Sequence, residues 1–405
     1  MAAGGFEMAK PIGRSSEQCS CRGLSLPLQL VMAAVMYLGL AASSLAGNVP
    51  GYAYQYVPLD PTVPAGCLYF NPVALDQAGR VYGTTDCGGE TFVARYAKGH
   101  TTIISGSVSG HALVTGNHHG VLGGWTLDEQ GINHASLFVG GQVGPVPGVP
   151  ADRASLVNAI SDSGIALVGS SAPPDDRSVD ILYRKGHTKR IDSNDSGGGA
   201  YGLNDFGVLA VNGLSSYRYN PWTGKQTQLE PLPVNTSTKV FAIHDNGDVL
   251  GYSFGHSTDH IGVWKGKLFV DYFTEHYPAV PTVSEWLLWN RRGLIVETQI
   301  SYPPADYGGF LITGPGKRLK LADLVSGLPN WTNILDVNED GDLIGYGGTE
   351  FEGFDESFLL LRLHASGGPV SAKAAGARDS IRRLTAADRH LVISSSVSRS
   401  RHSEK

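Results

Sequence analysis

Long stretches with the 3.6-residue periodicity of an amphipathic helix are scarce in this sequence, and charged residues make up only 17% of it. The scarcity of helical pattern argues against a helical protein. The sequence instead has 53 glycines among its 405 residues, and glycine and proline punctuate the whole chain. This composition is typical of an all-β protein built from many short strands and tight turns.

The sequence also lacks an excess of basic residues in its central part. Residues 47–363 include 32 acidic and 20 basic side chains, which gives a net formal charge of −12. A body of that charge repels phosphate backbones, so nucleic acid is not an expected partner. The tail, residues 364–405, is basic, with 8 Lys or Arg and 3 Asp or Glu. Its Ser- and Arg-rich composition predicts disorder, with a basic amphipathic helix over residues 380–393 as the alternative.

The N-terminal segment, residues 1–46, is predicted to direct export. Three basic residues precede an uncharged, mostly apolar run over residues 24–46. The run ends in Ser44, Leu45 and Ala46, which fits the cleavage pattern of a secretory signal peptide. An uncleaved membrane anchor is the alternative, because about 20 apolar residues can span a bilayer. We therefore expect a secreted, extracellular or periplasmic protein, with membrane contact only if this segment is uncleaved.

Two of the four cysteines, Cys67 and Cys87, lie in the exported body. A pair of cysteines in an oxidising compartment is expected to form a disulfide, and two buried free thiols are the alternative. The register of the predicted strands supports the disulfide. With a hairpin turning at residues 76–79, opposed residue numbers add to about 155 or 156, and those of the two cysteines add to 154. The two side chains are therefore expected within reach of each other across the strands.

A hairpin pattern recurs seven times in the chain. It consists of an apolar run, a polar turn that ends in glycine and a second apolar run, as in AISDSGIALVG at residues 159–169. This arrangement predicts a β-hairpin with a glycine bulge. The seven turn glycines, spaced 40–48 residues apart, are Gly79, Gly120, Gly164, Gly207, Gly247, Gly293 and Gly341.

A second hairpin follows each first one, so each repeat predicts four antiparallel strands in about 43 residues. Such a unit is the signature of a propeller blade. The fold predicted for residues 47–363 is therefore an all-β, seven-bladed β-propeller. The seventh repeat lacks its fourth strand, whereas a spare strand precedes the first repeat at residues 52–59. We expect this N-terminal strand to complete the last blade and close the ring, which removes an exposed sheet edge.

Three stretches carry the repeat motif most clearly: AIHDNGDVLGY at residues 242–252, GLNDFGVLAV at 202–211 and INHASLFVGG at 132–141. In these stretches the chain resembles the HAF-repeat family of bacterial extracellular proteins. The resemblance extends over residues 51–363, and the second repeat departs most, with His118 and His119 at the turn. It implies export and a propeller-like repeat. It implies no established chemistry, and no catalytic residue can be carried over.

Candidate metal ligands and nucleophiles are few. Asp336, Asn338 and Asp340 match the first half of a calcium loop, but the twelfth position is Gly347 instead of the bidentate Glu that an EF-hand requires. A plain structural turn is the leading interpretation there, calcium is the alternative, and no other cofactor is expected. The histidines lack the usual zinc spacings. The DSGG stretch at residues 195–198 echoes a protease nucleophile, but a triad is recognised by its geometry.

The links between the second and third strands of the repeats vary most in length and composition. In a propeller, these links share one face with the blade-to-blade connections, and variable loops on a rigid scaffold often carry binding sites. An ordinary solvated loop face is the alternative for any single residue. The candidate ligand-binding residues form an acidic rim with aromatic side chains: Asp128, Glu129, Asp175, Asp176, Asp259, Tyr302, Asp306, Tyr307, Glu350 and Glu352.

These features predict an exported binding or interaction module, expected to be a monomer, whose ligand is a carbohydrate, a cation or a protein. A lyase or hydrolase that acts on extracellular polysaccharide is the alternative, and a purely structural envelope protein is a third. An enzyme needs acid–base groups that converge near the channel mouth. The inner strands offer few such groups, with no paired carboxylates and no histidine at a fixed offset from a carboxylate, so we assign no catalytic residue and no metal ligand.

Overall fold

The protein is described here from a computed structural model. The structure describes residues 52–108, 111–170, 179–191, 199–213, 215–255, 258–276, 285–299, 308–329, 331–348 and 356–363. These residues form 28 β-strands and only two short helical segments, a 3-10 turn at Asp60–Thr62 and the α-helix α1 at Leu321–Leu324. Within the same ranges, no helix has the length and apolar character needed to cross a membrane. The all-β prediction is confirmed.

The strands form seven four-stranded antiparallel sheets, which we number as blades in chain order. Blade one contains β2 (Cys67–Leu75), β3 (Val81–Cys87), β4 (Glu90–Ala97) and β5 (His100–Ser107). Blade two contains β6 (His111–Gly116), β7 (Leu122–Leu127), β8 (Asn133–Val139) and β9 (Gln142–Pro145). Blade three contains β10 (Ser155–Ile160), β11 (Ala166–Ser170), β12 (Val179–Arg184) and β13 (His187–Ile191).

Blade four contains β14 (Ala200–Leu203), β15 (Leu209–Val211), β16 (Tyr217–Asn220) and β17 (Lys225–Gln228). Blade five contains β18 (Ser237–Ile243), β19 (Val249–Phe254), β20 (Thr258–Lys265) and β21 (Leu268–His276). Blade six contains β22 (Glu285–Trp289), β23 (Ile295–Gln299), β24 (Gly308–Gly314) and β25 (Lys317–Lys320). Blade seven contains β26 (Trp331–Val337), β27 (Leu343–Gly348), β28 (Glu356–Arg362) and β1 (Tyr54–Pro58).

The blades are arranged in a closed ring. The first strand of each blade contacts the first strand of the next, and β26 of blade seven contacts β2 of blade one. The seven first strands therefore surround a central channel. The seven-bladed β-propeller predicted from the repeat is confirmed.

The apolar core lies between the blades. Seven clusters of buried side chains each join two consecutive blades. In one of them, Ala74 and Tyr82 of blade one pack against Leu122 and Phe138 of blade two. Side chains alternate between the two faces of a strand, so each blade can bury both faces only between two neighbours.

The seven predicted hairpin turns share one backbone geometry. Each turn glycine has a φ between 70° and 86°, a conformation that glycine adopts without steric cost. Its N–H donates to the carbonyl three residues earlier, as Gly79 does to Asp76 over 3.1 Å. The N–H of Asp76 in turn donates to the carbonyl of Arg80 over 3.0 Å, and the same pair of bonds recurs in all seven turns. The predicted glycine-bulge hairpin is confirmed.

The N-terminal strand β1 forms the outer strand of blade seven. It pairs antiparallel with β28, with Tyr54 opposite Arg362. The carboxylate of Asp60, just after β1, accepts hydrogen bonds from the N–H of Phe70 in blade one at 2.8 Å and of Ser357 in blade seven at 2.9 Å. Asp60 thus connects the N-terminal segment to both blades that flank it.

The predicted disulfide is present. Cys67 and Cys87 lie opposite each other on β2 and β3, with their Cα atoms 4.0 Å apart, and their sulfur atoms are bonded. Two register shifts, one between Pro72 and Ala74 and one between Cys67 and Phe70, explain why the predicted register was off by one or two residues.

Six of the seven first strands contain a β-bulge at the same position, six residues before the turn glycine. A bulge leaves one residue out of the strand pairing and redirects its side chain. In blade six, β22 is regular. The sequence pattern does not predict these bulges. The residues that they leave unpaired are Val73, Val114, Asn158, Tyr201, Phe241 and Leu335.

Candidate functional site at the channel mouth

One side chain from each blade meets the others at the hairpin-turn end of the channel. It is the residue two positions before the turn glycine. Because the strands of a blade alternate in direction, the first-to-second and third-to-fourth turns share one face, which we call the hairpin-turn face. This face is opposite to the variable links. We call the seven residues the turn ring: Gln77, His118, Asp162, Asp205, Asp245, Arg291 and Glu339.

Backbone N–H groups of one blade hold the acidic side chains of the next. The N–H of His118 donates to Asp162 Oδ1 over 3.0 Å, and the N–H of Asp205 donates to Asp245 Oδ1 over 2.9 Å. Similar bonds connect blade six to blade seven and blade seven to blade one. This position of the repeat therefore favours a side chain with an acceptor oxygen, which Asp, Glu and Gln supply.

Arg291 reaches across the mouth of the channel from blade six. Its Nη2 lies 3.1 Å from Asp162 Oδ2, 2.5 Å from Asp205 Oδ2 and 3.6 Å from Asp245 Oδ2, and its Nε lies 4.0 Å from Glu339 Oε1. Burial opposes the charge of the guanidinium, but the four carboxylates outweigh it and raise the pKa of Arg291. The arginine thus connects acids from four other blades.

His118 and Asp162 form an ion pair between blades two and three. His118 Nδ1 lies 3.1 Å from Asp162 Oδ2, and Nε2 lies 3.2 Å from the carbonyl oxygen of Val337. Burial acts to lower the pKa of His118, but its hydrogen bond to Asp162 and nearby acidic charges raise that pKa to about 9. Burial acts to raise the pKa of Asp162, but the hydrogen bond and charge of His118 lower it to about 2. Both groups are therefore charged at neutral pH.

The turn ring is acidic as a whole. Its four carboxylates outnumber the two cations, Arg291 and protonated His118, so the formal charge is −2 at neutral pH. Asp336 lies on β26 next to this ring, and its Oδ2 accepts the N–H of Leu75 over 2.8 Å. Burial raises the pKa of Asp336. The mouth of the channel therefore favours positively charged or hydroxyl-bearing groups.

The sequence did not indicate this cluster. The inner strands offer no histidine at a fixed offset from a carboxylate, whereas His118 contacts Asp162 of the next repeat, 44 positions away. One signal was available: three consecutive repeats carry an aspartate, Asp162, Asp205 and Asp245, at the same turn position.

Asp128 and Glu129 of the predicted acidic rim lie in the described part of the chain. Asp128 Oδ1 accepts the N–H of Ile132 over 2.8 Å, and Oδ2 lies 2.7 Å from Nε2 of His134. The hydrogen bond from His134 and those from the backbone lower the pKa of Asp128. This carboxylate therefore stabilises its own link, while Glu129 beside it is exposed.

The remaining rim residues are mostly beyond what the structure describes. Asp259 lies on β20, half-buried and opposite Phe254. Seven others lie outside the described residues: Asp175, Asp176, Tyr302, Asp306, Tyr307, Glu350 and Glu352. Ligand binding at the acidic rim stays a prediction.

The calcium-loop residues each have a different partner. Asp336 accepts backbone N–H groups, Asn338 Oδ1 accepts the N–H of Asp342 over 2.9 Å, and Asp340 Oδ1 lies 3.1 Å from Arg292 Nη2. In the ranges given above, no group of three or more His, Cys, Asp or Glu side chains is placed to hold a metal ion. Calcium at this loop stays a prediction.

A cavity of about 220 Å³ opens beside the turn ring, between blades four and five. Asp245 and Gly247 of blade five line it, together with Arg218 and Lys225 of blade four. A smaller cavity of about 150 Å³ lies near the opposite face, and its lining includes His134. The larger cavity shares Asp245 with the turn ring, so the two features form one continuous surface.

No protein-family model matches this chain, and no curated protein matches it. It is similar to a solved structure of catalytically inactive virginiamycin B lyase from Staphylococcus aureus with quinupristin, at 12% identity and a TM-score of 0.43, over 76% of this chain and 99% of that one. It is also similar to the WD40 domain of Toxoplasma gondii coronin, at 9% identity and a TM-score of 0.43, over 78% and 87% of the two chains. A third similar structure is the Dos1 propeller, at 10% identity and a TM-score of 0.40, over 72% and 78%. These similarities concern the fold alone.

Proposed function

We propose that the protein is an exported binding module that holds its ligand on the hairpin-turn face, at the channel mouth. The ligand is a carbohydrate, a cationic group or a basic protein segment. The observation that supports the proposal is the turn ring, in which polar and charged side chains from all seven blades converge. Titratable groups with shifted pKa values, such as His118 and Asp162, cluster at functional sites.

The contacts within the turn ring favour binding over catalysis. Both ring nitrogens of His118 are engaged, and the guanidinium of Arg291 faces four carboxylates. A general acid or base must come within hydrogen-bond reach of the reacting atom. His118 would first have to leave Asp162 or the Val337 carbonyl, whereas a bound ligand can use the outer surface of the ring without that step.

A binding screen with matched variants tests the proposal. The purified protein is titrated with glycans, metal ions and basic peptides, and each ligand found is tested on Asp205→Asn and Glu129→Gln. Both substitutions remove one carboxylate, the first from the turn ring and the second from the opposite face. We expect Asp205→Asn to weaken binding roughly tenfold, the equivalent of about 1.4 kcal/mol, and Glu129→Gln to leave it unchanged. If Glu129→Gln weakened binding and Asp205→Asn left it unchanged, the binding site would lie at the acidic rim instead.

A lyase or hydrolase acting on extracellular polysaccharide is the second candidate, and the His118–Asp162 pair is the observation that favours it. A histidine that is protonated at neutral pH can serve as a general acid. Turnover of a polysaccharide that His118→Gln abolishes, together with no binding in the screen, would replace the binding proposal by this one.

We propose that the protein is exported, and two features support this: the N-terminal segment and the disulfide. Disulfides persist in oxidising compartments, and Cys67 and Cys87 are bonded. N-terminal sequencing of the protein recovered outside the cytoplasm tests the cleavage site. We expect Gly47 as the first residue, whereas an intact N-terminus would favour the membrane anchor.

A further inference from the structure

The cavity between blades four and five carries four hydrogen-bond donors on one sheet face. Arg218 and Asn220 are two residues apart on β16, and their direct cross-strand partners on β17 are Thr227 and Lys225. Residues two apart share a face of a strand, and so do cross-strand partners. All four side chains line the cavity. Their Cβ atoms form a rectangle of about 5 by 7 Å, which is the scale of one small molecule.

Neighbouring groups orient two of these donors. Arg218 Nη1 donates to the carbonyl of Gly247 over 2.6 Å. A Cβ on Gly247 would lie 2.5 Å from that nitrogen, so any other residue would shift the guanidinium from this position. Asn220 Oδ1 accepts the N–H of Trp222 over 3.0 Å and that of Thr223 over 3.3 Å. Because its oxygen is occupied in this way, Asn220 offers its amide nitrogen to a ligand.

The blade-four wall of the cavity is positively charged. Arg218 and Lys225 form no salt bridge with an acid among the residues that the structure describes. The acid on the opposite wall is Asp245, whose Oδ1 accepts the N–H of Asp205 and whose Oδ2 lies 3.6 Å from Arg291 Nη2. The carboxylate of Asp245 is therefore engaged by the turn ring, and it forms no salt bridge with either cation of the blade-four wall.

We propose that this cavity binds a small polyhydroxylated molecule that carries an anionic group, either a carboxylate or a phosphate. The planar guanidinium of Arg218 suits an oxyanion, and Lys225 adds a second positive charge. Asn220 and Thr227 can bind hydroxyl groups. A volume of about 220 Å³ is below the range of about 300–1,000 Å³ for drug-sized ligands, so it suits one sugar unit. This inference rests on the proposed function and narrows the ligand class at the hairpin-turn face.

Calorimetric titration of the purified protein with glucuronate, glucose 6-phosphate and glucose tests the inference. We expect one or both anionic sugars to bind, and glucose to bind at least roughly tenfold more weakly, because charge-assisted hydrogen bonds are the stronger ones. The ratio of the two anionic sugars distinguishes a carboxylate ligand from a phosphate ligand. Lys225→Gln should weaken binding of the anionic sugar roughly tenfold. Lys317→Gln is the matched control, since Lys317 is also the exposed first residue of a fourth strand, in blade six.

Three results would overturn the inference: no binding of either anionic sugar, equal binding of glucose, or inorganic phosphate bound as tightly as the sugar phosphate. Because Lys225 is exposed, its substitution should leave the thermal unfolding midpoint unchanged. An unchanged midpoint would show that the loss of binding comes from the site and not from unfolding. If both anionic sugars fail while another ligand still responds to Asp205→Asn, this inference is wrong and the proposed function stands.

Discussion

Asn338 shows, at the scale of one residue, how a turn side chain also joins two blades. It is fully buried, its Oδ1 accepts the N–H of Asp342 over 2.9 Å, and its Nδ2 donates to the carbonyl of Asp76 in blade one over 3.1 Å. The equivalent asparagines of blades two, four and six donate to the next blade in the same way. The sequence predicted the turn role of these amides, which is local. It could not predict the second bond, because that bond requires the neighbouring blade.

Replacing Asn338 by alanine should therefore destabilise the protein strongly. Asn338→Ala leaves the buried N–H of Asp342 without its acceptor and removes the bond between blades to the carbonyl of Asp76, and we expect a loss of about 2–3 kcal/mol in the free energy of unfolding. Asn246→Ala is the control, because Asn246 is exposed and bonds only to Asp248; its cost should stay within about 0.5 kcal/mol. Urea unfolding measures both. Equal losses in the two variants would show that the bond between blades contributes little.

The His118–Asp162 pair makes stability depend on pH. The pKa of Asp162 falls from 3.8 to about 2 on folding, so its stabilisation is present above pH 3.8 and is lost as the pH falls through 2. The pKa of His118 rises from 6.5 to about 9, so its stabilisation is present below pH 6.5 and is lost as the pH rises through 9. The pair should stabilise the protein most between pH 3.8 and 6.5.

The pH profile of the unfolding midpoint tests this pair. His118→Gln should cost about 2 kcal/mol near pH 5, and the difference from the unmodified protein should shrink as the pH passes 9. His119→Gln, which changes the exposed neighbour of His118, should show no such trend. A difference between His118→Gln and the unmodified protein that stays constant from pH 5 to 10 would contradict the assigned charge states.

At the scale of the strand, the bulge in the first strand explains a glycine that follows the turn glycine by four residues in four of the six blades with a bulge. Valine, as Val168 and Val211, occupies this position in the other two. In four blades, a glycine of the second strand lies opposite the residue that precedes the bulge: Gly83, Gly124, Gly251 and Gly345. A Cβ on Gly345 would lie 2.2 Å from the carbonyl oxygen of Asn333. Blade six has no bulge, and Glu297 stands at the equivalent position. The glycine therefore makes room for a first strand that the bulge brings close.

Gly345→Ala should consequently force the backbone of blade seven apart. We expect a cost of about 1–3 kcal/mol, which is typical of overpacking in a well-packed core. Gly144→Ala, in β9, is the control, because a Cβ there would meet no atom within 4 Å. Thermal unfolding of the two variants measures the difference. If both variants have the same thermal unfolding midpoint as the unmodified protein, a Cβ at the close approach beside the bulge costs no stability.

The strands and the turns could be predicted because their signals are local. Glycine three residues after a polar side chain, between apolar runs, predicts a hairpin wherever it occurs. The bulges have no such signal. Val114 and Tyr201 look like ordinary strand residues, and they leave the pairing only because of how the first strand meets the second.

At the scale of the whole molecule, the ring creates the candidate site. A polar residue precedes the turn glycine by two positions in every repeat, but within one repeat that pattern indicates only a solvated turn. Closure of the ring brings Arg291 of blade six within 3.1 Å of Asp162 in blade three. The seven-fold period was therefore sufficient to predict the fold, whereas the contacts of the site depend on blades that are far apart in sequence.

The pairing of β1 with β28 leads to the last prediction. β1 covers β28, and Tyr56 packs against Phe358 with their rings 5.8 Å apart. A chain that begins at residue 60 would expose the edge of β28 and part of the apolar surface around Phe358 and Leu360, which are fully buried in the ring. Because an exposed strand edge pairs with other chains, we expect this chain to associate and to unfold at lower urea than a chain that begins at residue 47. Light scattering and urea unfolding compare the two chains. A shorter chain that stays monomeric with an unchanged midpoint would show that blade seven is stable with three strands.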